Sequence, residues 1–445
     1  MMVSLLAASL PIKQRSLFFR SRFILSALIW AGSFIMIGAA LAQSADGSST
    51  SQLISTGQIE AARVALEAEN PSQADRVFFE ARILKAQRRF PEAISAFRQV
   101  LQIDPNYINA RRELAHTLLL NRDYGPARFH FEELLKIDQN DQMRDGYRGF
   151  LNVVDQNQPI GFSGYFSLLP STNVNRGTAN TVFDTNLGQF VIDPNSQAES
   201  GVGVQLGLSG YFRHLTSPTS RVSLNWDLSG TRYKEDRYNS AVGNLAVSYE
   251  EVTQSGSWFI SPYFRKTWRE DDADNDVHGL RFGLTHRLNE QNRLGFSVSH
   301  EYRDYAVQDY QDGTFTSGSI SLSHQINPSL SISGGFGFER SAPEADHLQY
   351  DSGKLFAGLS KAWEGGLQTS FGFEYGIRDF VEDYPLTSSP RDDDFYKISI
   401  GVQHSRIDIQ GFTPRLSCSR TVNQSNVAFY DYNATECQAT ISRNF

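Results

Sequence analysis

Histidines, a cysteine pair and two runs of aspartate are the residues of this chain able to catalyse, to bridge or to hold a metal. A hydrolase would need a base facing a nucleophile, and a metal site would need grouped oxygen, nitrogen or sulfur donors. Neither pattern occurs: there is no G-x-S-x-G, no H-E-x-x-H and no grouped Cys/His set. Asp271-Asp272-Ala273-Asp274 and Asp392-Asp393-Asp394 offer carboxylates suited to Ca²⁺ but lack a complete ligand loop, so solvated loops are the expected role of both. His214, His286, His300, His324 and His404 alternate in step with apolar neighbours, while His278 and His347 fall in outer-loop contexts. No catalytic residue, cofactor or metal is expected.

The elements that carry these residues explain their positions. Residues 202–214 put Val202, Val204, Leu206, Leu208 and Phe212 on one side and Gln205, Ser209, Tyr211 and Arg213 on the other, the alternation of a strand with one apolar and one wet face. The same parity runs through Val222-Leu224-Trp226-Leu228, Leu280-Phe282-Leu284 and Phe371-Phe373-Tyr375. About fourteen such stretches fill the last three hundred or so residues. A soluble sandwich also alternates, so the connections decide. Short links at 216–219, 289–292, 327–328, 364–366 and 408–410 alternate with longer, mostly acidic ones at 269–276 and 381–394. That rhythm predicts an antiparallel transmembrane β-barrel of outer-membrane type over residues 159–445. Ring-bearing side chains end the descending strands on the apolar parity: His214, Tyr249, His286, His324, Trp363, His404 and Phe445. They read as an interfacial girdle, with Phe445 also the terminal barrel signal.

The 445 residues allow two or three domains, the net charge of −8 disfavours nucleic acid, and a mean hydropathy of −0.37 argues against helical membrane spans. Residues 23–41 form one apolar run behind Lys13, Arg15, Arg20 and Arg22, ending in Ala40-Leu41-Ala42. A signal peptide over residues 1–42 is expected, with a single membrane anchor as the competing reading. Cys418 and Cys437 lie on the outward parity of the last two strands. They either bridge across that hairpin or sit there as small hydrophobes.

Residues 43–158 read as a helical arm. Aligning the chain with itself at a shift of thirty-four residues maps Phe90 to Tyr124, Ala93 to Ala127, Phe97 to Phe131 and Asp104 to Asp138. This is the tetratricopeptide period, in which small residues let paired helices approach and aromatic ones fill the gap between units. A helix before the repeats and a capping helix from Asp141 complete a short solenoid. Such an arm either binds a polypeptide segment or serves as a spacer.

The inward parity of the strands carries Ser, Gly, Gln, Asn and Thr with scattered Arg213, Asp227, Arg265, Arg281, Arg287, Arg303, Glu374 and Arg378. Small polar linings leave room for water or a passing chain, and charges of both signs make a poor ion filter. A passage is expected, unless the barrel's own loops plug it.

Together, the leader, the repeat arm, the α+β multidomain layout and a barrel of about fourteen strands resemble the surface lipoprotein assembly modulators (Slam), the type XI secretion outer-membrane proteins. Gly164-Tyr165-Phe166-Ser167-Leu168-Leu169-Pro170-Ser171-Thr172-Asn173-Val174-Asn175 is similar to the P-x-x-N-x-N segment that begins the barrel in that family, through Pro170, Asn173 and Asn175. The resemblance implies transfer of a lipoprotein or secreted protein across the outer membrane of a Gram-negative bacterium. It also implies a periplasmic arm assisting and no cofactor or catalytic residue. Outer-membrane lipid, periplasmic chaperones and the barrel-assembly machinery are the further partners expected. A polysaccharide export porin with a repeat arm and a passive pore are the alternatives.

Overall fold

The computed structural model describes residues 53–444, apart from 55, 69, 139, 328, 364–365, 405–406 and 408–411. The expected signal peptide and the terminal Phe445 lie outside the described residues.

Six helices come first: α1 (Ile59–Ala68), α2 (Gln73–Ala86), α3 (Phe90–Ile103), α4 (Ile108–Leu120), α5 (Tyr124–Ile137) and α6 (Asp141–Asn157). Ser72 and Asp75 cap α2 reciprocally, each side chain taking the other's backbone N–H, which satisfies two donors that a bare helix start leaves free. Phe97, Phe131, Ala93 and Ala127 are all buried, as their repeat positions require. Leu151 and Val154 of α6 close the exposed end of the last repeat. The repeat extends to the backbone: Arg88 and Arg122, thirty-four residues apart, both turn with positive φ, at 60° and 65°. No glycine supplies that conformation here, so packing of the flanking helices holds it.

The barrel strands are β1 (Ile160–Ser171), β4 (Gly201–Leu215), β5 (Ser220–Arg232), β6 (Ser240–Thr253), β7 (Gly256–Arg269), β8 (Asp272–Arg287) and β9 (Asn292–Tyr305). They continue through β10 (Gly313–Asn327), β11 (Leu330–Pro343), β12 (Tyr350–Ala362), β13 (Leu367–Asp383), β14 (Pro390–His404), β15 (Thr413–Ser425) and β16 (Tyr432–Asn444). Each is antiparallel to its neighbours, and β1 meets β16 to close a barrel of 14 strands. The remaining pair, β2 (Val182–Thr185) and β3 (Gly188–Val191), forms a separate hairpin in the β1–β4 link. An even strand count returns the chain to the mouth where it entered, so α6 and the end of β16 share one mouth, here the arm side.

No helix among the described residues is long and apolar enough to cross a membrane. The strands supply the apolar surface instead. Leu206 is 63% exposed and Ile400 54% exposed on the outer face, while the register sets Ser209 against Ser163 and Ser297 against Ser319 inside.

Two expectations about links are corrected. Residues 269–276 are not a long loop: β7 and β8 continue to a turn at Glu270 and Asp271, whose φ of 50° and 69° suit a two-residue hairpin. Lys266 meets Asp276 at 2.7 Å and Arg269 meets Asp274 at 3.1 Å, so cross-strand ion pairs extend the ladder that an acidic loop would have ended. Likewise Asp392-Asp393-Asp394 belong to β14, and Asp393 is wholly buried rather than solvated. His278 also lies in β8 rather than in an outer loop, with its ring 5.0 Å from that of Phe264.

Candidate passage through the barrel

The arm-side mouth is where helix meets wall. Only Gln158 and Pro159 separate α6 from β1, and the Pro159 carbonyl accepts from the Arg213 N–H at 2.8 Å. Asp155 on α6 is the centre of an ion cluster: Arg128 of α5 donates to it, and Arg221 of β5 and Arg213 of β4 lie 3.3 and 3.6 Å away. Arg221 also donates to Glu250 of β6 at 2.7 Å, and Arg213 stacks 4.0 Å from the Tyr211 ring. Elsewhere Asn152 donates to the Pro218 carbonyl at 2.7 Å, and Arg293 of β9 to the Leu135 carbonyl at the end of α5 at 3.0 Å. Buried charges persist only when paired in this way. On the opposite side a crevice of about 440 Å³ remains between Glu133 and Ile137 of α5 and an inner wall of Gln325, Ser360, Gln403 and Arg415.

Inside the arm, burial and the nearby Arg111 and Arg98 push the His130 imidazole down to about 3. Its Nδ1 is buried with no partner. Burial and a bond to Asp138 raise the Tyr147 phenol well above its usual range. Arg112, Asp138 and Tyr147 form a knot, with Arg112 donating to both at 2.7 Å, that ties α4 to α6.

The middle of the lumen is walled by small residues. A cavity of about 590 Å³ is bordered by Ser297, Ser299, Ser317, Ser319, Ser333 and Gly358. Hydroxyls satisfy one another across strands, at 2.9 Å for Ser297 with Ser319 and for Ser299 with Ser317. Arg281, Glu339, Lys354 and Glu374 border the same cavity, with Lys354 and Glu339 paired at 3.3 Å. Rings are laid over glycines elsewhere on the inner wall, with Tyr165 across Gly207 and, beside the serines, Tyr263 across Gly279; a Cβ at either glycine would fall within 2.5 Å of the ring. The charges seen as scattered are in fact arranged. Arg265 and Arg303 share Glu301, Asp227 accepts from Asn244 at 2.9 Å, Arg281 stacks 5.0 Å from Tyr263, Arg378 pairs with Asp393, and Glu374 faces Lys397 in register. Arg287 faces Arg293 near the arm.

The far mouth is roofed. Pro170 stands next to last in β1, the first barrel strand, and Asn173 and Asn175 follow it into the link that contains β2 and β3. Asn173 is 1% exposed; it donates to the Gly177 and Asn433 carbonyls at 2.8 and 3.0 Å and accepts from the Gly177 N–H at 2.9 Å. Asn175 donates to the Gln197 carbonyl at 2.7 Å and accepts from the Glu199 N–H at 3.1 Å. The two side chains clasp the base of the link to itself and to β16. Above them Phe183 of β2 packs 5.0 Å from Phe429 and 6.2 Å from Tyr384, so loops from β13–β14 and β15–β16 join the roof.

On the outer face His214, Tyr249, His286, His324, Trp363 and His404 stand at the arm-side strand ends, and His300 shares their face. None reaches the lumen. Cys418 and Cys437 face one another on this outer parity and are bonded at 2.10 Å. Among the described residues no group of His, Cys, Asp and Glu is placed to hold a metal. Residues missed from the sequence are Asp155, Arg128, Glu301 and Arg391, while Asp393 was expected to be solvated and is buried. Each acts through a partner on another element, and only the acidic run around Asp393 carried any local signal.

A family model described as surface lipoprotein assembly modifier matches residues 161–445, and a tetratricopeptide repeat model matches residues 84–145. Surface lipoprotein assembly modifier 1 of Haemophilus influenzae is 20% identical over 371 residues, covering 81% of this chain and 76% of that relative. Surface lipoprotein assembly modifier 2 of the same organism is 23% identical over 399 residues, covering 84% and 79%. The hemophilin secretion modulator of Acinetobacter baumannii is 24% identical over 255 residues, covering 56% and 51%.

Proposed function

This chain belongs to the surface lipoprotein assembly modifier family as an outer-membrane barrel protein of surface lipoprotein assembly, and from that premise we propose that its lumen is the passage by which one specific cargo lipoprotein reaches the cell surface. The arm lies in the periplasm, engages the cargo there and presents it to the arm-side mouth. The serine- and glycine-lined lumen, with an arm joined to one mouth through Asp155, is the observation that supports this reading best. A wall whose hydroxyls bond one another lets a polypeptide slide, and an arm held by buried ion pairs delivers it to one entrance. The reading assigns no catalytic step to the protein.

Deletion of the gene tests the reading. The cargo is expected to remain in the periplasm, protected from protease added to whole cells, while uptake of small dyes stays normal. Unchanged surface exposure of every lipoprotein in the deletion strain overturns it. The relative named for hemophilin secretion supports a second cargo class, a soluble secreted protein. In that case the trapped protein carries no lipid anchor.

A further inference from the structure

The far mouth holds another cavity, of about 480 Å³, with walls unlike the serine wall beneath it. Arg303, Arg378 and Arg391 border it among tyrosines, and no carboxylate does. Two acids, Asp393 and Glu301, pair with these arginines without bordering the cavity themselves. Asp393, wholly buried, accepts from Arg391 Nε at 2.9 Å and Arg378 Nη1 at 3.2 Å. Glu301 accepts from Arg303 Nε at 2.8 Å and from Arg265 at 3.4 Å, while Glu339 is taken by Lys354 at 3.3 Å. Arg303, Arg378 and Arg391, with Arg265 outside the cavity, therefore share Asp393 and Glu301, so the side chains that border the cavity carry positive charge in excess. Charge held away from bulk water calls for a counter-charge.

Two further observations point to a ligand. Arg378 Nε is buried without a partner. The guanidinium groups are also held on rings, with Arg391 3.3 Å from the Tyr430 centroid and Arg378 4.9 Å from that of Tyr350. Stacked guanidiniums are preorganised, and their forks match the two oxygens of a carboxylate or phosphate.

We propose that this pocket is an oxyanion-binding site at the far end of the passage, taking one carboxylate or phosphate group and the small body that carries it. Its place in transfer rests on the function proposed above, in which acidic side chains of the passing polypeptide are one source of the oxyanion and free phosphate the other. Binding itself does not depend on that function.

The test is calorimetric titration of the full chain, folded in detergent micelles, with inorganic phosphate, with hexaglutamate and with hexaglutamine. Saturable binding of phosphate or hexaglutamate, none of hexaglutamine, and at least tenfold weaker binding to Arg378→Gln support the site; Arg378→Lys should recover part of the affinity. Tighter binding of hexaglutamate assigns the site to the passing chain, and tighter binding of phosphate assigns it to a free anion. No saturable binding of either probe, or equal affinity in wild type and Arg378→Gln, overturns it. Unheated electrophoretic mobility verifies folding, and Arg303→Gln replaces Arg378→Gln if the latter does not fold. Surface display of cargo is measured separately, so failure of binding and failure of the transport reading are distinguishable.

Discussion

Asp155, in the last turn of α6, lies 3.3 Å from Arg221 near the start of β5, and this pair joins the helical arm to the barrel wall. The same carboxylate holds Arg128 of α5 and faces Arg213 of β4, so one buried acid serves three arginines from two domains. Arm and barrel are thereby held in one arrangement at the arm-side mouth.

Asp155→Asn keeps one carbonyl oxygen at that position but removes the negative charge the three guanidinium groups share, leaving only Arg221 with a carboxylate of its own, Glu250. Breaking a buried pair of this kind costs about 3 kcal/mol. The arm should loosen while the barrel stays closed, which limited proteolysis reads as faster cleavage near Gln158 with unchanged barrel mobility on unheated gels. Equal cleavage rates in wild type and variant would count against the tether.

The arm should lose stability in mild acid through His130. Unfolded, this imidazole takes up its proton near 6.5; folded, burial and the neighbouring arginines delay uptake to about 3. Between those values the unfolded chain binds more protons, so the stabilisation is complete above pH 6.5 and falls as pH falls, by up to about 1.4 kcal/mol per unit. Thermal loss of helical circular dichroism, followed from pH 7.5 to 4.5, should show this slope, and His130→Gln should flatten it.

Cys418 and Cys437 enclose 19 residues of separation in the hairpin that closes the barrel. A loop of that length removes chain entropy worth about 3 kcal/mol from the unfolded state. Replacing both cysteines by serine should lower the temperature at which the barrel converts to its unfolded gel mobility, with cargo display retained, because the bridge lies on the outer face. An unchanged conversion temperature would contradict the assignment.

Asn173→Ala strips the clasp of its bonds to Gly177 and Asn433 and leaves buried backbone groups unanswered, at a cost of about 2 kcal/mol. The roof built from β2, β3 and the neighbouring loops should then open more often. Protease added to the purified barrel should cut between residues 177 and 200 faster than in wild type. Asn175→Ala should act in the same direction.

Much of the architecture was legible locally. Alternation at Val202 to Phe212 marked both faces of a strand, and the thirty-four-residue spacing of Phe97 and Phe131 marked the repeat. His214, His286, His300, His324 and His404 were read from parity alone, since a residue in step with Leu and Val in a strand must share their face. Asp392-Asp393-Asp394 shows where this reading stops. Composition suggests a solvated loop, yet Arg378 and Arg391 extend the strand and bury Asp393 between them.

The chain by itself determined which residues point outward, because the period of a strand is a property of consecutive backbone units and needs no distant partner. Tertiary structure alone decided which inward charges meet. Arg221 and Asp155 stand 66 residues apart, and their encounter depends on strand register, barrel closure and the angle at which α6 enters β1. No local pattern records those quantities. For the same reason Arg303 and Arg378 looked like scattered charges along the chain, Arg391 went unread, and the three became one pocket only when the fourteen strands closed.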